Sequence, residues 1–204
     1  MRIFTIGHSN YPIDYFISLL KINKINCVVD VRSTPYSKYT PQYNREEVKK
    51  LLNIKGITYI HMGEEFGARR EKKELYSKEG YLDFEKTRKD SIFLSGVDRI
   101  INGCKKGYNI ALMCTEKDPF DCHRCIMVGK GLEDNGFEVD HIMQGNKHIK
   151  QKEIERKLLD KYFKDRNQIM LESVQGKILS IEEMIEESYK KRNKEIGYHM
   201  DEGE

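Results

Sequence analysis

The chain lacks several things that would class a protein at sight. No apolar run approaches the ~20 residues that cross a bilayer, and the first ten residues have the pattern of a strand, not of an export signal. A membrane-spanning or secreted protein is therefore not expected, and a cytoplasmic location is. No strong charge of one sign is present: 36 basic against 33 acidic residues leave +3, so any basic patch must be local. An even, widely spaced cysteine set is also missing. Five cysteines without an export signal argue for free thiols over a disulfide framework, and there is no second Cys-x-x-Cys pair of the kind that closes a four-cysteine zinc site. Internal repeats and low-complexity segments are absent too.

What is present suffices for a packed core. Apolar residues are 38% and charged residues 34% of 204, a hydrophilic balance that still supplies Ile, Leu, Val, Phe and Tyr in quantity. The length fits one α/β domain with an extension. Residues 2–6 and 27–31 are short β-branched runs like buried parallel strands, with Ile13, Phe16, Ile17 and Leu20 between them at helical spacing. A second helix is expected from Asn44, with Glu47 three residues on, to just before Gly56, and a third strand over 57–61. Residues 63–82, with three glycines and many charges, read as a long surface loop. Phe93, Leu94, Val97, Ile100, Ile101 and Cys104 mark a helix face leading to an apolar, hence central, strand over 109–114. A helix over 122–135 and a strand over 137–142 follow.

The alternation predicts a three-layer α/β/α domain over residues 1–146 with a mostly parallel sheet. Residues 147–204 read as a charged helical extension. It carries two apolar stripes, Ile154, Leu158, Leu159, Tyr162 and Phe163, then Ile181, Met184, Ile185 and Tyr189, with a frayed tail from Lys190.

Open parallel sheets bind ligands beyond the carboxyl ends of their strands, so the residues just after each strand carry the functional reading. They are Gly7-His8-Ser9-Asn10, Asp30-Val31-Arg32-Ser33, His61 and Cys114-Thr115-Glu116. Past the last of these, Cys122, His123 and Arg124 stand in the first turn of a helix. Its free amides and dipole favour an anion, Arg124 offers a bidentate contact, and a thiol there has a lowered pKa. Each residue also has a plain structural reading. Cys114 suits packing, as do Cys27 and Cys104; His8 suits a turn; Asp30 and Arg32 suit an ion pair between loops. Cys114, Cys122 and Cys125 with His123 form a possible metal set that needs His8 or His61 for completion, and the anion site is preferred to it. Tyr36, Ser37, Lys38, Tyr39 and Arg45 offer either a base-stacking loop or tyrosines packed on the sheet edge. Arg69 and Arg70 add charge to the same rim.

Taken in order, Thr5-Ile6-Gly7-His8-Ser9-Asn10, Val29-Asp30-Val31-Arg32-Ser33-Thr34-Pro35-Tyr36-Ser37, Cys114-Thr115-Glu116-Lys117-Asp118-Pro119, Cys122-His123-Arg124 and His141-Ile142 resemble the bacterial and archaeal family called domain of unknown function 488. Gly63-Glu64-Glu65-Phe66-Gly67 departs from the Leu-Gly-Gly type loop expected there. The resemblance implies a fold and a shared polar site, with roles at His8, Ser9, Asp30, Arg32, Ser37, Cys114, Glu116, Cys122, His123 and Arg124. A fainter likeness to rhodanese-type domains, through Asp30-Val31-Arg32 and Cys114, allows a Rossmann-like or rhodanese-like sheet.

The sequence thus points to an enzyme acting on a phosphate-bearing, nucleotide or nucleic-acid-derived substrate. In this reading His8, Asp30, Cys114, Glu116 and His123 do the chemistry, and Ser9, Arg32, Tyr36, Ser37, Cys122 and Arg124 hold the substrate. A non-catalytic nucleotide or nucleic-acid module and a Cys/His metal-stabilised protein are the other two readings. No cofactor and no oligomeric state is indicated.

Overall fold

The computed structural model describes residues 1–164 and 179–200. Six strands, β1 (Arg2–Gly7), β2 (Cys27–Asp30), β3 (Thr58–His61), β4 (Ile110–Cys114), β5 (Glu138–Ile142) and β6 (His148–Lys150), form one sheet in the order β3-β2-β4-β1-β5-β6. All neighbours are parallel except β5 and β6. The fold is therefore α/β with a mostly parallel sheet, as expected.

Alternation along the strands divides the core in two. Phe4, Ile6, Val28, Ala111 and Met113 pack under α1 (Ile13–Ile22) and α2 (Arg45–Ile54), where Phe16, Leu20, Val48 and Leu52 are buried. Ile3, Val29, Leu112 and Cys114 face the other layer, which holds α4 (Phe84–Lys89), α5 (Ser91–Lys105), a π-helical turn (Arg124–Gly129) running into α6 (Lys130–Asp134), and α7 (Gln151–Tyr162). With both faces covered, β4 is buried at every residue, which is why its sequence is an unbroken apolar run.

Several elements differ from expectation. Residues 63–82 contain α3 (Gly63–Phe66), a 3₁₀ turn (Lys73–Leu75) and a bridge between Tyr76 and Leu82. Phe66, Leu75, Tyr76 and Leu82 sink into the larger core, so the segment is pinned by anchors too widely spaced to show a period. Leu94 is 41% exposed and lies off the buried face of α5. The helix expected from 122 starts as a π-turn. Asn44 precedes α2 but does not cap it: its Oδ1 accepts from the Ser37 N–H at 2.7 Å. The short α4 and the antiparallel edge β6 carry no clear pattern of their own.

The chain does not fray at Lys190. The last described helix, α8 (Ile181–Ile196), buries Arg192 and Asn193, and Asn193 bonds to Phe84 N and Leu82 O. Both expected stripes meet in a small cluster of Leu159, Phe163 and Met184, while Ile154, Leu158 and Tyr189 join the main core. Residues 201–204 lie outside the described part. Among the described residues no helix is long and apolar enough to cross a membrane.

Candidate metal centre

Because β2, β4 and β1 are consecutive in the sheet, their carboxyl ends lie side by side. Pairing continues past the strands: His8 N–H donates to Cys114 O at 2.9 Å, Ser9 N–H to Thr115 O at 2.7 Å and Val31 N–H to Met113 O at 3.1 Å. The polar residues that follow these strands are thereby gathered into two distinct constellations.

The first is a buried scaffold. Asp30 accepts from Arg32 Nε at 2.8 Å, from Arg32 NH2 at 2.6 Å, from the Arg32 N–H at 3.1 Å and from the Tyr59 hydroxyl at 2.7 Å. Arg32 NH2 also donates to Tyr43 O, and its NH1 lies 3.1 Å from His8 Nε2. His8 Nδ1 sits 2.8 Å from Ser9 O. A carbonyl only accepts and a guanidinium only donates, so His8 is neutral with its proton on Nδ1. Burial, followed by the Arg32 charge, lowers its pKa to about 4. The ring stacks on Tyr43 with centroids 4.0 Å apart. His8, Asp30 and Arg32 are converged, as their positions imply, but they are spent on one another. Their geometry matches the ion-pair and turn reading.

The second constellation is chemically open. Ligand atoms of Cys114, Glu116, Cys122 and His123 all lie within 4.8 Å of one another. Glu116 Oε2 is 3.0 Å from Cys114 Sγ and 2.8 Å from Cys122 Sγ, and Cys114 Sγ is 3.8 Å from His123 Nδ1. His123 Nε2 lies 3.2 Å from Val31 O, so Nε2 carries a proton and Nδ1 faces the sulfurs; burial acts to lower the ring's pKa but is outweighed by Cys122 and Glu116, which raise it above the ordinary histidine value. The thiols titrate unequally. Burial, then Cys122, pushes Cys114 well above the ordinary thiol value. For Cys122 burial acts upward but is outweighed by Cys114, Arg124 and His123, which hold it well below.

Arg124 plays a part other than the one its position suggests. It is fully buried, and its guanidinium donates to Glu116 O at 2.7 Å and Lys117 O at 3.2 Å, clamping the loop that carries Glu116. It thus does not reach a ligand as a bidentate fork. Gly7 forms the other side of the clamp. A Cβ there would stand 1.8 Å from Glu116 O and 3.1 Å from Arg124 NH2. Gly7→Ala is expected to cost about 3 kcal/mol, the upper range for overpacking, because the obstacle is backbone. Chemical denaturation of the variant measures this, and a loss below ~1 kcal/mol would show that the loop gives way freely.

The remaining expected residues are scattered. Cys125 is buried away from the cluster, 3.6 Å from His141 Nε2, and burial pushes its thiol up. It is not among the four clustered donors, whereas Glu116 is. Cys27 is buried and Cys104 half-buried, both against the larger core. Ser9 has a positive φ of 46° and its hydroxyl is 3.4 Å from Asn10 Oδ1. Tyr36 donates to Glu46 at 2.8 Å and Ser37 Oγ accepts from Tyr39 N–H at 3.1 Å, so this loop folds on itself while Tyr39 stays 82% exposed. His61 Nε2 donates to Arg32 O at 2.8 Å, outside the cluster. A cavity of about 390 Å³ is lined by Ser33, His61, Arg69 and Arg70. Ser33 follows the two residues whose carbonyls bond to histidines, Val31 O to His123 and Arg32 O to His61. Arg70 also donates to the carbonyls of Glu64 and Glu65.

Glu116, expected from its position to carry protons, is instead a partner of the two thiols. The signal was present: residues two apart at a strand end point to one face, which puts Glu116 beside Cys114. A model of the family described as domain of unknown function DUF488 matches residues 12–129. The chain belongs to this family. The match spans Asp30 through Arg124, and so the four-donor cluster and the scaffold apart from His8, which with Ser9 precedes it. No curated protein and no solved structure matches the chain.

Proposed function

We propose that this DUF488 member is a metalloprotein in which Cys114, Glu116, Cys122 and His123 hold one divalent ion of the zinc type. The observation that carries this reading is the cluster itself: two sulfurs, one imidazole nitrogen and one carboxylate oxygen within 4.8 Å. Four donors of this mixture suit tetrahedral zinc, and thiolate donors favour softer ions over magnesium or calcium. The bond from His123 to Val31 O supports it further, since ligating histidines are generally oriented through their second nitrogen. An enzyme that grips phosphate directly with Arg32 and Arg124 has less support, because both guanidiniums are committed to protein groups.

Protein purified without chelator is expected to carry about one zinc per chain. Cys122→Ser and His123→Ala should each weaken zinc affinity by at least ~100-fold, whereas Cys125→Ser should leave it unchanged. Elemental analysis and competition with a chromogenic chelator read both. A chain that neither retains zinc nor binds it at micromolar concentration rejects the proposal.

A further inference from the structure

The four donors are not equivalent. Cys114 and Cys122 are 2% and 1% exposed and His123 is half-buried, while Glu116 is exposed at the rim. Cys114 is fixed by β4, Cys122 by its N–H to Pro119 O, and the His123 ring by Val31 O. The Glu116 backbone is clamped by Arg124, but among the described residues its carboxylate is bonded only to the thiols and its own backbone N–H. Among an ion's ligands it is the one that can leave without disturbing the fold.

Charge decides what replaces it. Among the described residues the Arg124 guanidinium donates to two carbonyls and to no carboxylate, its backbone N–H lies 3.4 Å from Cys122 Sγ, and its Nε is buried without a partner. A divalent ion, two thiolates, a neutral imidazole and this guanidinium leave one positive charge in a poorly solvated place, which Glu116 neutralises. Once the carboxylate swings out, a charge of that sign in a low dielectric calls for another anion. Oxygen is the donor type the position already accepts.

We infer that Glu116 is the displaceable ligand of this centre and that an exogenous oxyanion of the phosphate class binds the ion in its place. The ion then presents an open position to substrate, as catalytic sites do, and is not a closed structural one. Arg124 acts at a distance through its charge and through its hold on the loop. This rests on the metal reading above.

The test uses the full chain loaded with cobalt(II) and titrated with inorganic phosphate. Saturable change in the visible bands is expected for the wild type, and Glu116→Gln should keep a full equivalent of cobalt while binding phosphate at least ~10-fold more tightly, its competitor being gone. A wild type whose bands ignore phosphate overturns the inference, as does a Glu116→Gln variant that folds but loses cobalt as completely as Cys122→Ser. Should that variant misfold by circular dichroism, the wild-type titration alone decides. Failure of the wild type to take up cobalt or zinc is a separate outcome, and it removes the metal reading itself.

Discussion

Arg124→Lys is expected to lower the melting temperature by roughly 10 °C, from a loss of about 3 kcal/mol in a chain of this size. The guanidinium is fully buried and satisfies two carbonyls of the Glu116 loop at once. A lysine keeps the charge but has no planar fork, so one carbonyl loses its donor and a buried cation is left with fewer bonds. Because the charge is kept, oxyanion affinity at the loaded centre should change little. Thermal unfolding and the cobalt titration measure the two quantities separately. An unchanged melting temperature combined with lost phosphate binding would mean that Arg124 touches the anion directly and is no clamp.

Acidification should unfold the chain more steeply than its carboxylates alone explain. His8 and His141 are both buried, and burial first, then a neighbouring arginine, lowers each pKa to about 4. His141 is bonded on both sides, with Thr5 Oγ1 2.7 Å from Nδ1 and Gln151 Oε1 2.8 Å from Nε2; the Gln151 contact raises its pKa but is outweighed by burial and Arg124. Gln151 uses its own N–H groups on Cys125 O and the Tyr189 hydroxyl, so its Oε1 must accept and the His141 proton sits on Nε2. The sign follows from comparing the two states. Between the ordinary value near 6.5 and the folded value near 4, the unfolded chain binds protons that the folded chain refuses. Stability is full above pH 6.5, falls as pH drops towards 4, and loses about 3 kcal/mol per histidine over that window. Urea titrations from pH 7 to pH 4 read the loss. Ring proton signals separate it from loss of a bound ion: both imidazoles should still be neutral at pH 5.5, and a midpoint near 6.5 for either would remove its share.

Local order was legible wherever local sequence carries the physics. The apolar run of β4, the spacing of Phe16, Ile17 and Leu20 in α1, and the glycine after α6 declared themselves, because burial and turn chemistry act over a few residues. Parallel strands also determined that His8, Asp30, Arg32, Cys114 and Glu116 would gather at one edge. What each does there was settled by partners far along the chain. His8 and Asp30 are engaged by Arg32, Tyr43 and Tyr59, partners that no local pattern announces. Arg124 turns inward because the Glu116 and Lys117 carbonyls need a donor there and Gly7 leaves room beside them. Cys125 sits next to Cys122 and His123 in sequence, yet it points to His141 and Gln151, while Glu116, six residues before Cys122, closes the cluster. Sequence alone determined which residues reach the carboxyl edge. Tertiary structure decided which of them have donors and lone pairs left to offer, since satisfaction of a buried polar atom depends on every group folded against it.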